Sequence, residues 1–138
     1  MFKILGVDHI GVAVPNLAEA GTFWSDILGL PHTKDETVEE QKVTTCFFPT
    51  PNGAEFELLE ATSEDSPIAK YLEKNGGRCG IQHVAIRVDN LEQALADLKE
   101  KGVRLIDEKP RKGAGGAMIA FIHPKATYGV LLELCQRD

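Results

Sequence analysis

The sequence has few of the features that mark secreted, membrane-spanning or polyanion-binding proteins. Its 138 residues include only three cysteines, an odd and widely spaced set that argues against a disulfide framework or a CxxC metal site. No apolar run approaches the length that spans a membrane. Lys and Arg number 15 against 21 Asp and Glu, for a formal net charge of −6, which argues against a general role in binding nucleic acid or membrane surfaces. An anionic ligand therefore needs a local group of basic residues.

We expect no signal or transit peptide, because strand-like text begins within a few residues of Met1. We therefore expect a cytoplasmic protein. An apolar content of 43% and the scarcity of low-complexity runs indicate one globular domain over residues 1–138. Cys46 and Cys135 lie in apolar, strand-like text, so we expect them to be packing residues and not nucleophiles.

A stretch near the N-terminus is repeated near the middle of the chain. Residues 7–20 and 81–94 align at an offset of 74, the difference between positions 9 and 83. Each copy reads as a short apolar strand, a polar break and a helix, and period-two alternation places the two histidines at equivalent positions. An internal duplication explains this pattern. The matched pairs are His9 and His83, Val14 and Val88, Asn16 and Asn90, Leu17 and Leu91, and Ala20 and Ala94.

The repeat predicts an α+β fold of two similar modules. Module one covers about residues 5–62, a connector with a short helix covers 63–78, and module two covers 79–137. The predicted helices are 17–28, closed by Gly29, then 68–74 after Pro67, and one that begins at Leu91 and stops at Gly102. We predict further strands at 42–48, 54–59, 103–106, 117–122 and 129–135, with polar connections at 36–41 and a glycine-rich loop at 113–116.

Each module also carries one glutamate inside apolar text on its last strand, Glu57 and Glu133. A buried carboxylate needs a cation, a hydrogen-bond network or solvent. Taken singly, each residue has an ordinary explanation: a strand histidine is more often a hydrogen-bonded core residue, and Glu57 could face solvent beside Glu55. Together, two equivalent His and Glu pairs fit a shared divalent ion, and zinc, cobalt, nickel, manganese or iron would suit such ligands.

Six short segments occur together and in a fixed order along the chain. Together they are a specific signal for a protein family, whereas any one of them alone is a weak signal. They are VDHIGVAV at 7–14, DSPIAKYL at 65–72, QHVA at 82–85, GAGG at 113–116, FIHPK at 121–125 and GVLLEL at 129–134. On these segments the sequence resembles, over nearly its whole length, the methylmalonyl-CoA epimerases of the vicinal oxygen chelate superfamily. The resemblance implies two tandem βαβββ modules that form curled mixed sheets around a divalent metal.

The resemblance implies that His9, His83 and Glu133 are metal ligands and that Glu57 fills the fourth ligand position. It implies one divalent ion, with cobalt, zinc, nickel and manganese as candidates. It also implies epimerisation of methylmalonyl-CoA at C2 through a metal-stabilised enediolate. Glu133 is the first candidate for a proton carrier. Some relatives have a glutamate as the second base where this chain has Thr45, so Glu57, a residue of the 36–40 segment or a metal-bound water would have to replace it.

The acyl-CoA substrate needs a basic site on this acidic chain. Lys109, Arg111, Lys112 and Lys125 surround the glycine-rich loop, whose Gly115 and Gly116 offer backbone N–H groups to an anion. A solvated charged loop is the competing interpretation. His123, before Pro124, either contacts substrate or caps the turn, and His32 is expected to be a surface residue.

Two other functions stay open on the sequence. One is a glyoxalase I type lactoylglutathione lyase, which uses a similar metal set on a glutathione hemithioacetal. The other is a non-catalytic binding module of the same fold. The resemblance further implies a homodimer, for which an exposed apolar helix face with Phe23 or Trp24 could serve.

Overall fold

The computed structural model describes residues 1–137, which divide into two compact units. The first unit is residues 9–82, and the second unit is residues 1–8 together with residues 83–137. The boundary falls within a strand, so the opening strand contributes to both units. The strands are β1 (Ile4–Ala13), β2 (Asp35–Val38), β3 (Val43–Pro49), β4 (Glu55–Ala61), β5 (Gly80–Val88), β6 (Arg111–Lys112), β7 (Met118–Ile122) and β8 (Leu132–Gln136). The α-helices are α1 (Leu17–Thr22), α2 (Pro67–Lys74) and α3 (Leu91–Glu100).

In the first unit the strands are hydrogen-bonded in the order β2-β3-β4-β1. The β2–β3 and β3–β4 pairs are antiparallel and the β1–β4 pair is parallel. Successive side chains point to opposite faces of this sheet. One face packs on α2 through Ala13, Leu59 and Ile68. The other face packs on α1 and the turn after it through Phe48, Leu58 and residues around them.

The second unit repeats this arrangement with different side chains. Strand β8 is parallel to β5, and the β6–β7 and β7–β8 pairs are antiparallel. Helix α3 buries Leu91, Ala94 and Leu95 against a core that includes Val88 and Leu134. The element order of strand, helix and three strands therefore occurs twice, and the predicted fold class is confirmed.

The duplication extends to how the helices begin. The Asn16 and Asn90 side chains accept the N–H of Glu19 and Gln93, at 2.9 and 3.0 Å, and so cap the two helices. A second contact was not predicted: the N–H of Leu17 donates to Glu60 Oε1, and the N–H of Leu91 donates to Gln136 Oε1, each at 2.7 Å. The two acceptors, Glu60 and Gln136, lie three residues after Glu57 and Glu133. Each helix start is therefore tied to the strand that carries the glutamate of its module.

The predicted helix 17–28 is not one regular helix. It is α-helical to Thr22 and then continues as a π-helix over Phe23–Ile27, in which the N–H of Leu28 donates to Phe23 O at 2.9 Å. The hydroxyls of Thr22 and Ser25 donate to backbone carbonyls three and four residues earlier, competing with the regular helical ladder. Gly29, with φ of 76°, ends the segment as expected.

Two strand predictions were wrong. Residues 103–106 make only one bridge, Leu105 to Ile122, because the N–H groups of Ile106 and Asp107 both donate to Phe121 O and interrupt the ladder. The second strand of that module is β6. Residues 36–41, predicted as a polar connection, include most of β2 and a 3₁₀ turn over Glu39–Gln41. Strand β2 has the polar sequence DETV and so lacks the apolar alternation that predicts a strand.

None of the helices within residues 1–137 has the length and apolar character needed to cross a bilayer. All three cysteines are free thiols, with Cys46 and Cys135 buried and Cys79 exposed. Burial, reinforced by the nearby Asp35, raises the pKa of the Cys46 thiol to about 12. Burial is also the main cause that raises the pKa of the Cys135 thiol. Neither thiol is therefore an activated nucleophile, as the sequence predicted.

Candidate active site

A buried histidine meets a buried glutamate in the first unit. His9 Nδ1 on β1 lies 3.3 Å from Glu57 Oε2 on β4, and both side chains are at most 5% exposed. The parallel ladder places Glu57 opposite Gly11, two residues after His9. Gly11 has no side chain to fill the space in front of Glu57, so the imidazole from two positions away can approach the carboxylate.

The second unit contains the same pair. His83 Nε2 on β5 lies 3.4 Å from Glu133 Oε1 on β8, and both side chains are at most 6% exposed. Glu133 lies opposite Ala85, the small residue that the offset of 74 matches to Gly11. The Phe121 ring meets the His83 ring edge-on, at 5.6 Å and 86°, and so fixes its orientation. Each predicted pair is therefore brought together by the register of its own module.

The chemistry of these pairs fits a metal ion. A buried carboxylate is costly unless a positive charge or several hydrogen bonds compensate it. The N···O separations of 3.3 and 3.4 Å are longer than a strong charge-assisted hydrogen bond. They are compatible with two ligands that each lie about 2.0–2.2 Å from one ion. Imidazole nitrogen and carboxylate oxygen together suit zinc, cobalt, nickel or manganese.

Thr45 is buried, with 1% of its surface exposed, on the same face of the sheet as Glu57. It lies opposite Leu59 on one side and opposite Glu36 of β2 on the other. Directly opposed residues of an antiparallel pair point to the same face. Glu36 is half-buried, with its Oε1 at 3.9 Å from Lys34 Nζ. The register thus places a carboxylate beside the position where the resemblance expects one and this chain has a threonine.

The predicted anion-binding residues lie in the second unit. Gly115 and Gly116 adopt φ of 70° and 76° in an exposed 3₁₀ turn. Arg111 is half-buried; its Nε lies 3.3 Å from Asp107 Oδ1 and its guanidinium lies over the Phe121 ring. The Lys125 side chain is exposed. Arg111 is thus already partly engaged within the unit, whereas Lys125 extends into solvent.

His123 caps the turn that contains Lys125. Its Nδ1 accepts the backbone N–H of Lys125 at 3.0 Å. Partial burial, followed by the charges of Arg104 and Lys125, lowers the pKa of His123 below its ordinary value. His123 is therefore neutral at pH 7 and able to accept this hydrogen bond, which supports the turn-capping interpretation.

An ion pair that was not predicted from the sequence joins the end of the chain to β1. Arg137 Nε and Nη2 donate to the two carboxylate oxygens of Asp8, at 2.8 and 2.9 Å, and Arg137 Nη1 donates to Gly115 O at 3.1 Å. Asp8 is buried and immediately precedes His9. One guanidinium therefore holds both the strand next to a candidate ligand and the glycine-rich turn. In the sequence, the only signal for this ion pair is an aspartate within an apolar strand.

Comparison with known proteins identifies relatives over the whole length. The model of the Glyoxalase/Bleomycin resistance protein/Dioxygenase superfamily matches residues 8–121. The chain is 45% identical to "Uncharacterized protein YqjC" of Bacillus subtilis, over 94% of this chain and 91% of that protein. It is 38% identical to mitochondrial methylmalonyl-CoA epimerase of Mus musculus, over 99% and 75%. A solved structure of a variant of Streptomyces coelicolor methylmalonyl-CoA epimerase, in complex with 2-nitronate-propionyl-CoA, superimposes with a TM-score of 0.91, 35% identity and 99% coverage of both chains.

The bidentate ion pair predicts a strong dependence of stability on Arg137. Replacing Arg137 by Ala leaves the Asp8 carboxylate, 6% exposed, without its guanidinium, and we expect a loss of about 2–3 kcal/mol in the free energy of unfolding, less than for a fully buried pair. Urea denaturation measures this change in the free energy of unfolding. Arg104→Ala, at an exposed position, is the control, with an expected change within about 0.5 kcal/mol. The double variant Asp8→Asn/Arg137→Ala should recover part of the loss. Equal midpoints for Arg137→Ala and Arg104→Ala would contradict this assignment.

Proposed function

Because the chain belongs to the methylmalonyl-CoA epimerase family of the Glyoxalase/Bleomycin resistance protein/Dioxygenase superfamily, we propose that it is an isomerase that interconverts the two epimers of methylmalonyl-CoA at C2. The observation that carries the proposal is the repeated, buried contact between histidine and glutamate, His9 with Glu57 and His83 with Glu133. The C2 carbon lies between a thioester carbonyl and a carboxylate. Its proton is therefore acidic enough to be removed by a carboxylate if the resulting negative charge is stabilised.

The proposal includes one divalent ion, with His9, Glu57, His83 and Glu133 as its ligands. Each pair offers one nitrogen and one oxygen at a separation that suits a shared ion. When bound, the ion supplies positive charge that stabilises the negative charge developing on the substrate oxygens. The same charge would offset the burial of the two carboxylates. Cobalt, zinc, nickel and manganese are the candidate ions.

Glu133 is the proposed proton carrier on one face of the substrate. It is held on β8 with its Oε1 at 3.4 Å from His83 Nε2. A carboxylate can accept the C2 proton and exchange it with solvent before a proton is returned. Glu57 is the symmetry-related carboxylate of the first unit and is the other candidate for this role.

Glu36 is the proposed carrier on the opposite face, in place of the residue that is Thr45 in this chain. Of the carboxylates in the 36–40 segment, Glu36 is in the β2–β3 ladder directly opposite Thr45. Glu39 and Glu40 lie in the exposed 3₁₀ turn that follows. Glu36 also shares its sheet face with Glu57. Thr45, which is opposite Glu36, and Phe47, which is opposite Glu57, are two residues apart on β3 and therefore point to the same face. A carboxylate there can accept a proton, which a threonine hydroxyl does poorly.

The acyl-CoA substrate would be held by the second unit. We assign its anionic groups to Arg111 and Lys125 and to the backbone N–H groups of Gly115 and Gly116, with His123 fixing the turn that carries Lys125. The support for a CoA ligand is that the Streptomyces coelicolor relative binds 2-nitronate-propionyl-CoA. We place the reaction in the cytoplasm, where a free, exposed thiol such as Cys79 stays reduced.

Exchange of the C2 proton tests the reaction. In heavy water, metal-loaded protein should replace the C2 proton of methylmalonyl-CoA with deuterium, and NMR measures the rate of this replacement. Chelator-stripped protein and Glu133→Gln should lose about 10²–10⁴-fold in rate. Glu73→Gln, an exposed α2 residue, is the control and should exchange normally. If all four samples match the protein-free rate, the epimerase assignment fails. Turnover of a glutathione hemithioacetal would then indicate a lyase, and binding without turnover a binding module.

If Glu36 is the second proton carrier, its replacement should slow epimerisation without stopping exchange of the C2 proton with solvent. Glu36→Gln should reduce epimerisation about 10²–10⁴-fold while the C2 proton of the epimer served by Glu133 still exchanges with solvent. Running the assay from each pure epimer makes this asymmetry visible. Glu40→Gln, in the neighbouring turn, is the matched control and should epimerise normally. A Glu36→Gln protein that epimerises at the control rate would remove Glu36 from the mechanism.

A homodimer is part of the proposal. The π-helical turn exposes Phe23, Ile27 and Leu28, at 47, 73 and 53% of their surfaces, and an apolar patch of this kind favours association. Trp24, the other residue considered, is half-buried and packs on Phe56 with ring centroids 4.6 Å apart, so it serves the core. Sedimentation at micromolar concentration should give the dimer mass, and Ile27→Lys should shift the protein toward the monomer. A monomer in the unmodified protein would refute this part.

A further inference from the structure

Three metal-ligating side chains outside the proposed active site lie together in the first unit. They are His32, Asp35 and Cys46, and one ligand atom from each lies within 4.8 Å of the others. His32 Nε2 is 2.9 Å from Asp35 Oδ1. Cys46 is buried, at 4% exposure, whereas about half of the His32 and Asp35 side chains is accessible. The set therefore combines a protected thiol with two ligands that solvent can reach.

Separate structural features hold each member of this trio in place. Asp35 and Cys46 are direct partners in the antiparallel β2–β3 ladder, so their side chains emerge on one face. The His32 ring stacks on Phe48, with centroids 5.6 Å apart and planes inclined by 29°. Backbone hydrogen bonds that join residues 33 and 34 to Phe47 continue the pairing between these ligands. The β2–β3 hairpin therefore positions Asp35 and Cys46, and the stacking on Phe48 holds His32 beside them.

The trio lines a cleft of about 470 Å³. The cleft wall also includes Ser25 and Glu60, which add polar groups beside the three ligands. This leaves room for water or a small anion to complete a coordination shell. Three protein ligands with an open position are a common arrangement for zinc in proteins.

This trio is on the opposite face of the sheet from the residues of the proposed reaction. Cys46 lies between Thr45 and Phe47 on β3 and is opposite Leu58 on β4, whereas Phe47 is opposite Glu57. Because side chains alternate along a strand, Cys46 and Glu57 point to opposite faces. An ion bound by Cys46 would therefore be separate from an ion bound by Glu57.

We propose that His32, Asp35 and Cys46 form a second metal site, which binds a borderline-soft divalent ion of the zinc class. A sulfur ligand distinguishes it from the nitrogen and oxygen set of the active site, and thiolate with imidazole favours zinc over magnesium or calcium. On binding, the Cys46 S–H bond is replaced by a sulfur–metal bond and the proton passes to solvent. With metal–ligand distances of about 2.0–2.3 Å, the trio closes around an ion through small side-chain movements.

Cobalt as a spectroscopic probe tests this site independently of activity. Cobalt(II) bound by a thiolate gives an intense near-ultraviolet charge-transfer band, which nitrogen and oxygen ligands do not give. Titrating full-length protein with cobalt chloride in a thiol-free buffer should produce this band. It should be absent in Cys46→Ser, and the apparent affinity read from it should fall about 10–100-fold in His32→Gln.

Cys79→Ser, which removes the exposed thiol, is the matched control and should keep the band. His32→Gln and Asp35→Asn change half-exposed residues, so they still test the site if Cys46→Ser, a core substitution, does not fold. The proposal is overturned if the unmodified protein shows no band at millimolar cobalt, or if the band persists in Cys46→Ser and disappears in Cys79→Ser.

Discussion

In each module one carboxylate is buried against one imidazole, and the surrounding strands and helix are arranged to maintain that contact. Glu57 and Glu133 are on the last strand of their modules and are almost fully buried. Such a group is unfavourable unless its charge is compensated, and each unit brings a histidine nitrogen into contact with the carboxylate, at 3.3 or 3.4 Å. The parallel pairing of first and last strands, the small residue opposite each glutamate and the helix tied to the same strand all contribute to it.

The two faces of the sheet in the first unit carry different functional side chains and pack on different helices. The face that carries Glu57 also carries Thr45 and Glu36, and packs on α2 through apolar residues further along the strands. The other face packs on α1 and contains Cys46 among aromatic side chains. Because alternation along a strand separates the two sets, a change of one register position would exchange them. The strand register therefore specifies which carboxylates and thiols belong to which site.

The ion pair of Asp8 and Arg137 joins the two ends of the second unit beside a candidate metal ligand. The guanidinium is bidentate on a buried carboxylate beside His9 and also holds the carbonyl of Gly115. Arginine can satisfy all three oxygens because its donors form a planar fork, which lysine lacks. The contact spans 129 residues of sequence, so it forms only when the chain has folded.

The duplication, the α+β class, the helix caps and the two histidine–glutamate pairs could all be predicted from the amino-acid sequence. The duplication, the class and the caps follow from local periodicity and from the constant offset of 74. The glutamates, 133 − 57 = 76 residues apart, are recognisable as charged residues within apolar strand text. Four features became visible only in the folded chain: the polar strand β2, the interrupted 103–106 segment, the pairing of Glu36 with Thr45 and the trio of His32, Asp35 and Cys46. They depend on strand register and on carbonyls shared between segments far apart in sequence, which no local pattern encodes.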